Sequence, residues 1–402
     1  MTVALSRAAR GIALLAMILA ALAGCTVVAP KTRLMVDDAR PTSELIRITP
    51  RDRAGNVPAA GRFEVRSPEG TLERVTVAEF QDGARRTVPG RISGDGHSWR
   101  PAPGGLGLAA RYTVDVVARD PSGHRAVRHS VFTTYVPEHR FLGYFTPEPY
   151  TTVGTGMIVS FAFSRPITDR AAVERAIRVT SRPPVEIAAH WFGSSRLDFR
   201  PREYWKPGTD VTLDLRLRDV RGAQGVYGSQ WKTVGFRVGR SQVSTVDAAA
   251  HTMTVVRDGR PPETVPVTAG GPGSDTYNGR MVITEKSPVT RMNGDTVGFG
   301  GEYDISDVPH AMRLTASGTF LHGNYWADPS VFGTQNVSHG CIGLPDAQGG
   351  DPSSPAGRFY DTSLIGDVVE VVRSPERVVA PDNGLGGWNM SWDQWRAGSA
   401  LG

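Results

Sequence analysis

The 402-residue sequence predicts a mainly β protein: two tandem β-sandwiches, then a third β-rich domain with a C-terminal tail packed on it. Three observations carry this reading. Glycine (46) and proline (29) are abundant and follow no short period, which favours strands joined by turns over long helices. A stretch of about a hundred residues recurs once, and the strand pattern changes character after Val243. The length also exceeds the size at which one hydrophobic core stops growing, so several domains are expected.

The first residues read as an export signal. Arg7 and Arg10 supply a positive start, and residues 12–22 form an apolar stretch too short to span a bilayer comfortably. The stretch closes on Leu22, Ala23, Gly24 and Cys25, which resembles the lipobox of bacterial lipoproteins. That resemblance implies that residues 1–24 are a lipoprotein signal peptide, that Cys25 is acylated, and that the mature chain is held at the cell membrane by lipid, facing the cell wall, without a transmembrane helix. An ordinary signal peptide with a chance cysteine is the alternative. Residues 25–41 lack periodicity and are expected to be a lipidated tether.

Residues 42–140 are expected to form the first sandwich. Alternating runs at 63–66, 112–117 and 129–135 are separated by Gly, Pro and Asp turns. Residues 141–240 repeat it: Trp99, Arg100, Pro101 recurs as Phe199, Arg200, Pro201, and the run from Tyr112 to Val116 recurs from Val211 to Leu215. Arg119 and Asp120 likewise match Arg218 and Asp219. The third domain, 241–375, opens with hairpin-like strands at 244–247, 252–257 and 263–268, then a bend at Gly270, Gly271 and Gly273. A Trp-rich subdomain, 376–402, places Trp388, Trp392 and Trp395 at i, i+4 and i+7, the spacing of one helix face. The stripe is expected to cap the third domain, with a glycan-stacking surface as the alternative.

Composition narrows function. The formal charge is +5, and loss of Arg7 and Arg10 with no acids leaves 5 − 2 = +3, too little to argue for nucleic acid. There are two cysteines, so lipidation of Cys25 leaves Cys341 as the one free thiol of an exported chain. An unpaired thiol in an oxidising compartment suggests use, although a small buried hydrophobe is the plainer reading until its neighbours are known.

Those neighbours are specific. His322, Gly323, Asn324, Tyr325 and Trp326 are followed, with fifteen residues separating His322 from Ser338, by Ser338, His339, Gly340 and Cys341. A thiol attacks carbonyls only as thiolate, and with a free pKa near ~8.5 it needs a base at neutral pH. Both His339 and His322 are candidates for that base. Gly340 would let the backbone pass close to substrate, and the amides of Gly340 and Cys341 could face a developing oxyanion. Spacing alone leaves a thiol-dependent acyl transferase, a hydrolase, or a buried cysteine beside an ordinary turn.

A histidine, fifteen residues, then Ser-His-Gly-Cys resembles the signature of the L,D-transpeptidases, whose catalytic domain is of the YkuD type. Residues 276–284 are similar to the family's early turn and strand, and the Trp-rich tail and the paired sandwiches are similar to the tail and immunoglobulin-like modules of actinobacterial members. The resemblance implies that Cys341 is the acylated nucleophile, His322 the general base, His339 a residue shaping the site, and Ser338 a support for the loop. Gly323 occupies the position that orients the imidazole and has only its carbonyl to offer. Gly343 stands where the family often has Asn, so a side-chain contact is expected to be missing. Tyr303, and with less weight His310, fall in the stretch similar to a flexible lid. Met292 is placed in the substrate groove, with a core methionine the alternative, and Trp326 is expected to pack below the loop.

The activity implied is cross-linking of peptidoglycan between third residues of stem peptides, through a Cys341 thioester and with loss of D-alanine. Carbapenem β-lactams are the implied covalent inhibitors, and no cofactor is needed. An L,D-carboxypeptidase that trims stems and a catalytically silent wall-binding lipoprotein are the rivals. His339 and Cys341 lack the second pair of ligands a structural zinc needs, and no phosphate loop or Ser-x-x-Lys tetrad is present in a plausible setting.

Overall fold

A computed structural model describes residues 42–294 and 304–402. Cys25, the tether and Tyr303 lie outside the described residues.

Period-two alternation builds the first sandwich. In strand Arg111–Arg119, Tyr112, Val114, Val116 and Ala118 point inward and are buried, and the strand pairs on both sides, with Thr71–Gln81 and Arg125–Thr133. A second sheet, containing Glu64–Arg66 and Ser98–Pro101, closes over them. Phe63, Trp99, Tyr112 and Phe132 fill the space between, and the Tyr112 and Phe132 rings stack at 4.9 Å.

The second sandwich uses the repeated residues in the same places. The recurrence of Trp99-Arg100-Pro101 falls at the end of strand Arg196–Pro201, as the original falls at the end of Ser98–Pro101. The recurrence of Tyr112 to Val116 falls in strand Asp210–Arg216, with Val211, Leu213 and Leu215 buried. Arg200 departs from its counterpart: Arg100 is exposed, whereas Arg200 is buried.

That burial is explained by the tail. Residues 376–389 lie on the third domain, where Asn278 bridges to Val378, Val379 enters the core and Asn389 bonds Arg280. The tryptophans then continue into the core of the second sandwich, and Arg200 lies over the rings of Trp388, Trp392 and Trp395 at 4.7, 5.3 and 4.6 Å. Burial lowers the Arg200 pKa to about 10. The reading of the Trp stripe as one helix face capping the third domain is corrected on both counts: the rings pack into the second sandwich and do not share one helix. Trp388 sits in a 3-10 turn, Gly386–Asn389, and a new helix, Trp392–Arg396, starts at Ser391, whose side chain and Gln394 form a reciprocal capping box.

The third domain packs two sheets. One has five strands in the order Glu263–Pro266, Thr252–Arg257, Gln242–Asp247, Val368–Val372, Gly279–Val282. The other has four, in the order Glu285–Asn293, Asp304–Arg313, Phe320–Asn324, Ile342–Pro345. Val246, Met281, Leu321, Ile342, Leu344 and Val369 lie in the core, covered at one side by Phe359 of helix Pro355–Thr362.

Candidate active site

Two strands of the four-stranded sheet bring the site together. Phe320–Asn324 and Ile342–Pro345 run parallel, with Leu321 opposite Ile342 and His322 opposite Gly343. A parallel pair needs a long crossover, and residues 325–341 supply it. The register sets residue 341 beside residue 320, and the Phe320 amide donates to Cys341 Sγ at 3.4 Å. Side chains alternate, so Phe320, His322 and Asn324 share one face with Cys341, while Leu321, Ile342 and Leu344 take the other and enter the core. Gly343 lies opposite His322 in the register, and a Cβ there would crowd Thr268 and Asn324 at 3.0–3.2 Å.

Cys341 and His322 line one cavity of about 220 Å³, with Met292, Asn324, Trp326 and His339. Met292 is buried on strand Glu285–Asn293 in a small cluster with Val308, Ala311 and Phe320, against which Cys341 packs. Ser338 anchors the loop: its hydroxyl donates to the Cys341 carbonyl at 2.6 Å, and its backbone bonds Ala269 and Gly271. Gly340 adopts φ +104°, a region that disfavours side chains. The Gly340 amide, expected to face an oxyanion, donates instead to Ser338 Oγ at 3.2 Å.

His322 is buried, and its Nδ1 lies 2.9 Å from the Gly323 carbonyl. A carbonyl can only accept, so Nδ1 carries the proton and Nε2 presents the lone pair. Burial lowers the His322 pKa, opposed by the Gly323 carbonyl and by the charge of Asp346. Gly323 is held to glycine by packing, since a Cβ there would stand 2.0 Å from Asp346 Oδ2. Asp346 is itself fixed, by His310 Nδ1 at 2.7 Å and by the amides of Ala347 and Asp351. The lid assignment of His310 is thereby corrected: it lies on strand Asp304–Arg313, and its partner is 36 residues away, beyond the reach of spacing arguments.

Two further residues depart from the sequence reading. Trp326, expected below the loop, is 42 % exposed and stacks on the His322 ring at 5.4 Å and 13°. This near-parallel stack restricts imidazole rotation from the solvent side. Asn324 carries no role in the sequence reading, although strand alternation from His322 points to it. Its side chain is 3.1 Å from where a Cβ on Gly343 would stand, and its Oδ1 accepts from the Ala327 amide, so an amide group borders the cavity despite the glycine at 343. Asn324→Ala is expected to slow acylation of Cys341 about tenfold, the size of one lost polar contact, with the fold intact by circular dichroism.

The thiol is held as a neutral group. Its proton is directed to the Gly318 carbonyl, 3.6 Å away, and burial pushes its pKa up to about 11 against the help of the Phe320 amide and Arg313. A resting thiolate–imidazolium pair is therefore disfavoured, and reaction requires proton transfer to a neutral imidazole as attack proceeds. The sign follows from the two shifts. Lowering the His322 pKa keeps the base neutral to more acid pH, so the acid limb of kcat/KM falls below the ordinary histidine value. Alkylation of the free thiol by iodoacetamide should keep rising from pH 7 toward 11, where an ordinary cysteine levels off after pH ~8.5.

A half-buried thiol and an oriented neutral imidazole on adjacent parallel strands define a cysteine-dependent acyl-transfer enzyme of mainly β fold. Comparison with known families agrees: residues 54–221 match the bacterial Ig domain and residues 241–371 the L,D-transpeptidase catalytic domain, YkuD. The chain is 33 % identical to L,D-transpeptidase 2 of Mycobacterium tuberculosis over 352 residues, covering 87 % of this chain and 83 % of that one. It is 30 % identical to L,D-transpeptidase 5 of the same species over 380 residues, covering 93 % and 81 %. A solved L,D-transpeptidase in complex with imipenem is 30 % identical and aligns with 59 % of this chain and 100 % of its own, at a TM-score of 0.49. The chain belongs to the L,D-transpeptidase family, cysteine-dependent acyltransferases of the YkuD fold.

Proposed function

We propose that this protein cross-links peptidoglycan stem peptides through their third residues. The observation that carries the reading is the shared cavity of Cys341 and His322, with Nδ1 committed to the Gly323 carbonyl and Nε2 left as the base. Cys341 Sγ attacks the carbonyl of the donor's third residue, and His322 takes the thiol proton. The C–S bond forms and the amide C–N bond breaks as His322 passes that proton to the departing D-alanine. The side-chain amine of a second stem then attacks the thioester, His322 accepts its proton, and the thiol is regenerated. The thioester conserves the energy of the broken peptide bond, so no nucleotide or cofactor is required. Carbapenems acylate the same sulfur by opening their strained ring.

We further propose that Cys25 carries lipid, that the mature enzyme is attached to the outer face of the cell membrane, and that the sandwiches lift the catalytic domain toward the wall, by some tens of ångströms for about a hundred residues each. The lipobox-like residues and the aperiodic tether support this. Metabolic labelling with a fatty-acid analogue should mark the full-length protein and leave Cys25→Ala unmarked.

Residues 41–402 incubated with a disaccharide-tetrapeptide should yield a dimer lacking one D-alanine, read by mass spectrometry and absent with Cys341→Ala. Trimmed monomer alone would favour the carboxypeptidase. Unchanged substrate with no adduct on Cys341 would favour a silent binding protein.

A further inference from the structure

Behind the general base lies a buried acid that the reaction scheme leaves unused. The register sets Asn324 opposite Pro345, so Asp346 follows the end of strand Ile342–Pro345 and stands beside the end of the strand that carries His322. Its side chain has no exposed surface, and its Oδ2 fills the space that a side chain at 323 would need. Strand alternation turns residue 323 away from the face that bears the imidazole, so carboxylate and imidazole lie on opposite sides of one strand.

The acid is held from three directions. Oδ2 accepts from His310 Nδ1 at 2.7 Å, and Oδ1 accepts from the amides of Ala347 at 2.9 Å and Asp351 at 3.0 Å. Amides only donate, and a neutral imidazole can place its proton on Nδ1, so both oxygens face donors, the setting of a carboxylate rather than a carboxylic acid. His310 is placed for this contact at a cost: inside strand Asp304–Arg313 it adopts φ +51°, a left-handed conformation that is strained outside glycine. Gly350 makes room for the ring, since a Cβ there would stand 3.0 Å from His310 Cε1, and Tyr360 of helix Pro355–Thr362 packs on it at 5.2 Å.

The reaction creates a positive charge close to this carboxylate. When His322 takes the thiol proton it becomes an imidazolium, which burial disfavours. A negative charge fixed in advance stabilises the imidazolium and does little for the neutral ring, so its effect falls on the transition state. We propose that Asp346, clamped by His310, is a positioning residue for the base: it braces Gly323, whose carbonyl orients His322, and supplies the permanent negative charge against which the imidazolium forms. The inference rests on the acyl-transfer reading of Cys341 and His322, and not on which acceptor follows.

The titratable groups around the pair are His322, Cys341 and His339 at the cavity, Asp351 on the loop, and Tyr360 with Lys286 over its ring. Asp346→Asn leaves all of them in place and keeps the shape: the amide oxygen can accept from Ala347 and Asp351, and the amide nitrogen can donate to His310 in its other tautomer. The second-order rate of Cys341 acylation by a carbapenem, read by intact mass between about pH 5 and pH 8, is compared with that of the unaltered enzyme at each pH, so changes in the reagent cancel. Asp346→Asn should be about three- to tenfold slower at neutral pH. Loss of the negative charge lowers the His322 pKa further, so the acid limb should lie at lower pH and the deficit should shrink as pH falls. His310→Gln keeps the charge, so its acid limb should coincide with that of the unaltered enzyme whatever its rate. No deficit in Asp346→Asn, a deficit of the same size at every pH, or an acid limb that moves as far in His310→Gln overturns the inference alone. Failure of the unaltered enzyme to be acylated overturns the acyl-transfer reading with it.

Discussion

Replacing His322 with glutamine is expected to slow acylation of Cys341 by roughly 10²- to 10⁴-fold at neutral pH, the range that general bases supply. With the thiol pKa near 11, only about one molecule in ten thousand carries a thiolate at pH 7. The unassisted reaction must run through that fraction. Glutamine can keep a hydrogen bond to the Gly323 carbonyl and contact with Trp326, so the cavity should hold its shape. The variant also has a signature of its own: its acylation rate should rise about tenfold per pH unit toward pH 11, because thiolate is then the limiting species. A carbapenem or a tetrapeptide can serve as acylating agent, with the adduct followed by intact mass. A variant within threefold of the unaltered enzyme at pH 7 would remove His322 from the role of base.

The second large effect is on stability. Trp395→Ala should weaken the second sandwich by about 3–5 kcal/mol, the usual cost of truncating a fully buried tryptophan. Trp395 has no exposed surface, donates from its indole to the Ala188 carbonyl at 3.0 Å, stacks on His190 at 5.0 Å and covers one side of Arg200. Removing it leaves a cavity beside a buried guanidinium that has no carboxylate among its described hydrogen-bond partners. Several domains make a single unfolding free energy ill-defined, so amide hydrogen exchange in strand Arg196–Pro201 is the fitting readout. Protection there should fall while that of strand Arg111–Arg119, in the first sandwich, is unchanged. Loss of protection in both would show that the tail serves the whole chain rather than this core.

Much of this was legible in the sequence because it is local or periodic. The recurrence of Trp99-Arg100-Pro101 and of the run from Tyr112 marks strand positions, and alternation fixes which residues face inward. The Ser-His-Gly-Cys run and its distance from His322 point to the site residues through the family resemblance they carry, whereas the parallel pairing of their strands is visible only in the structure. What escaped is tertiary or depends on solvent. The contact of Asp346 with His310, and the packing that keeps residue 323 a glycine, join segments with no shared period. Spacing gives no sign of whether a thiol is held up or down in pKa, because burial among Met292, Val308 and Phe320 decides it. The tail shows a third kind of miss: three tryptophans at helical spacing suggest one face, but Ser391 and Gln394 start a new helix between them, and the rings converge on Arg200 instead.

The central claim is that catalysis passes through an acyl-thioester on Cys341. Intact-protein mass spectrometry of residues 41–402, quenched in acid within the first turnover on a tetrapeptide donor, tests it most directly. A species heavier by the donor less one alanine, mapped by peptide digestion to Cys341 and absent in Cys341→Ala, is the predicted result. Consumption of the donor without any adduct on Cys341, or with the acyl group on another residue, would contradict it.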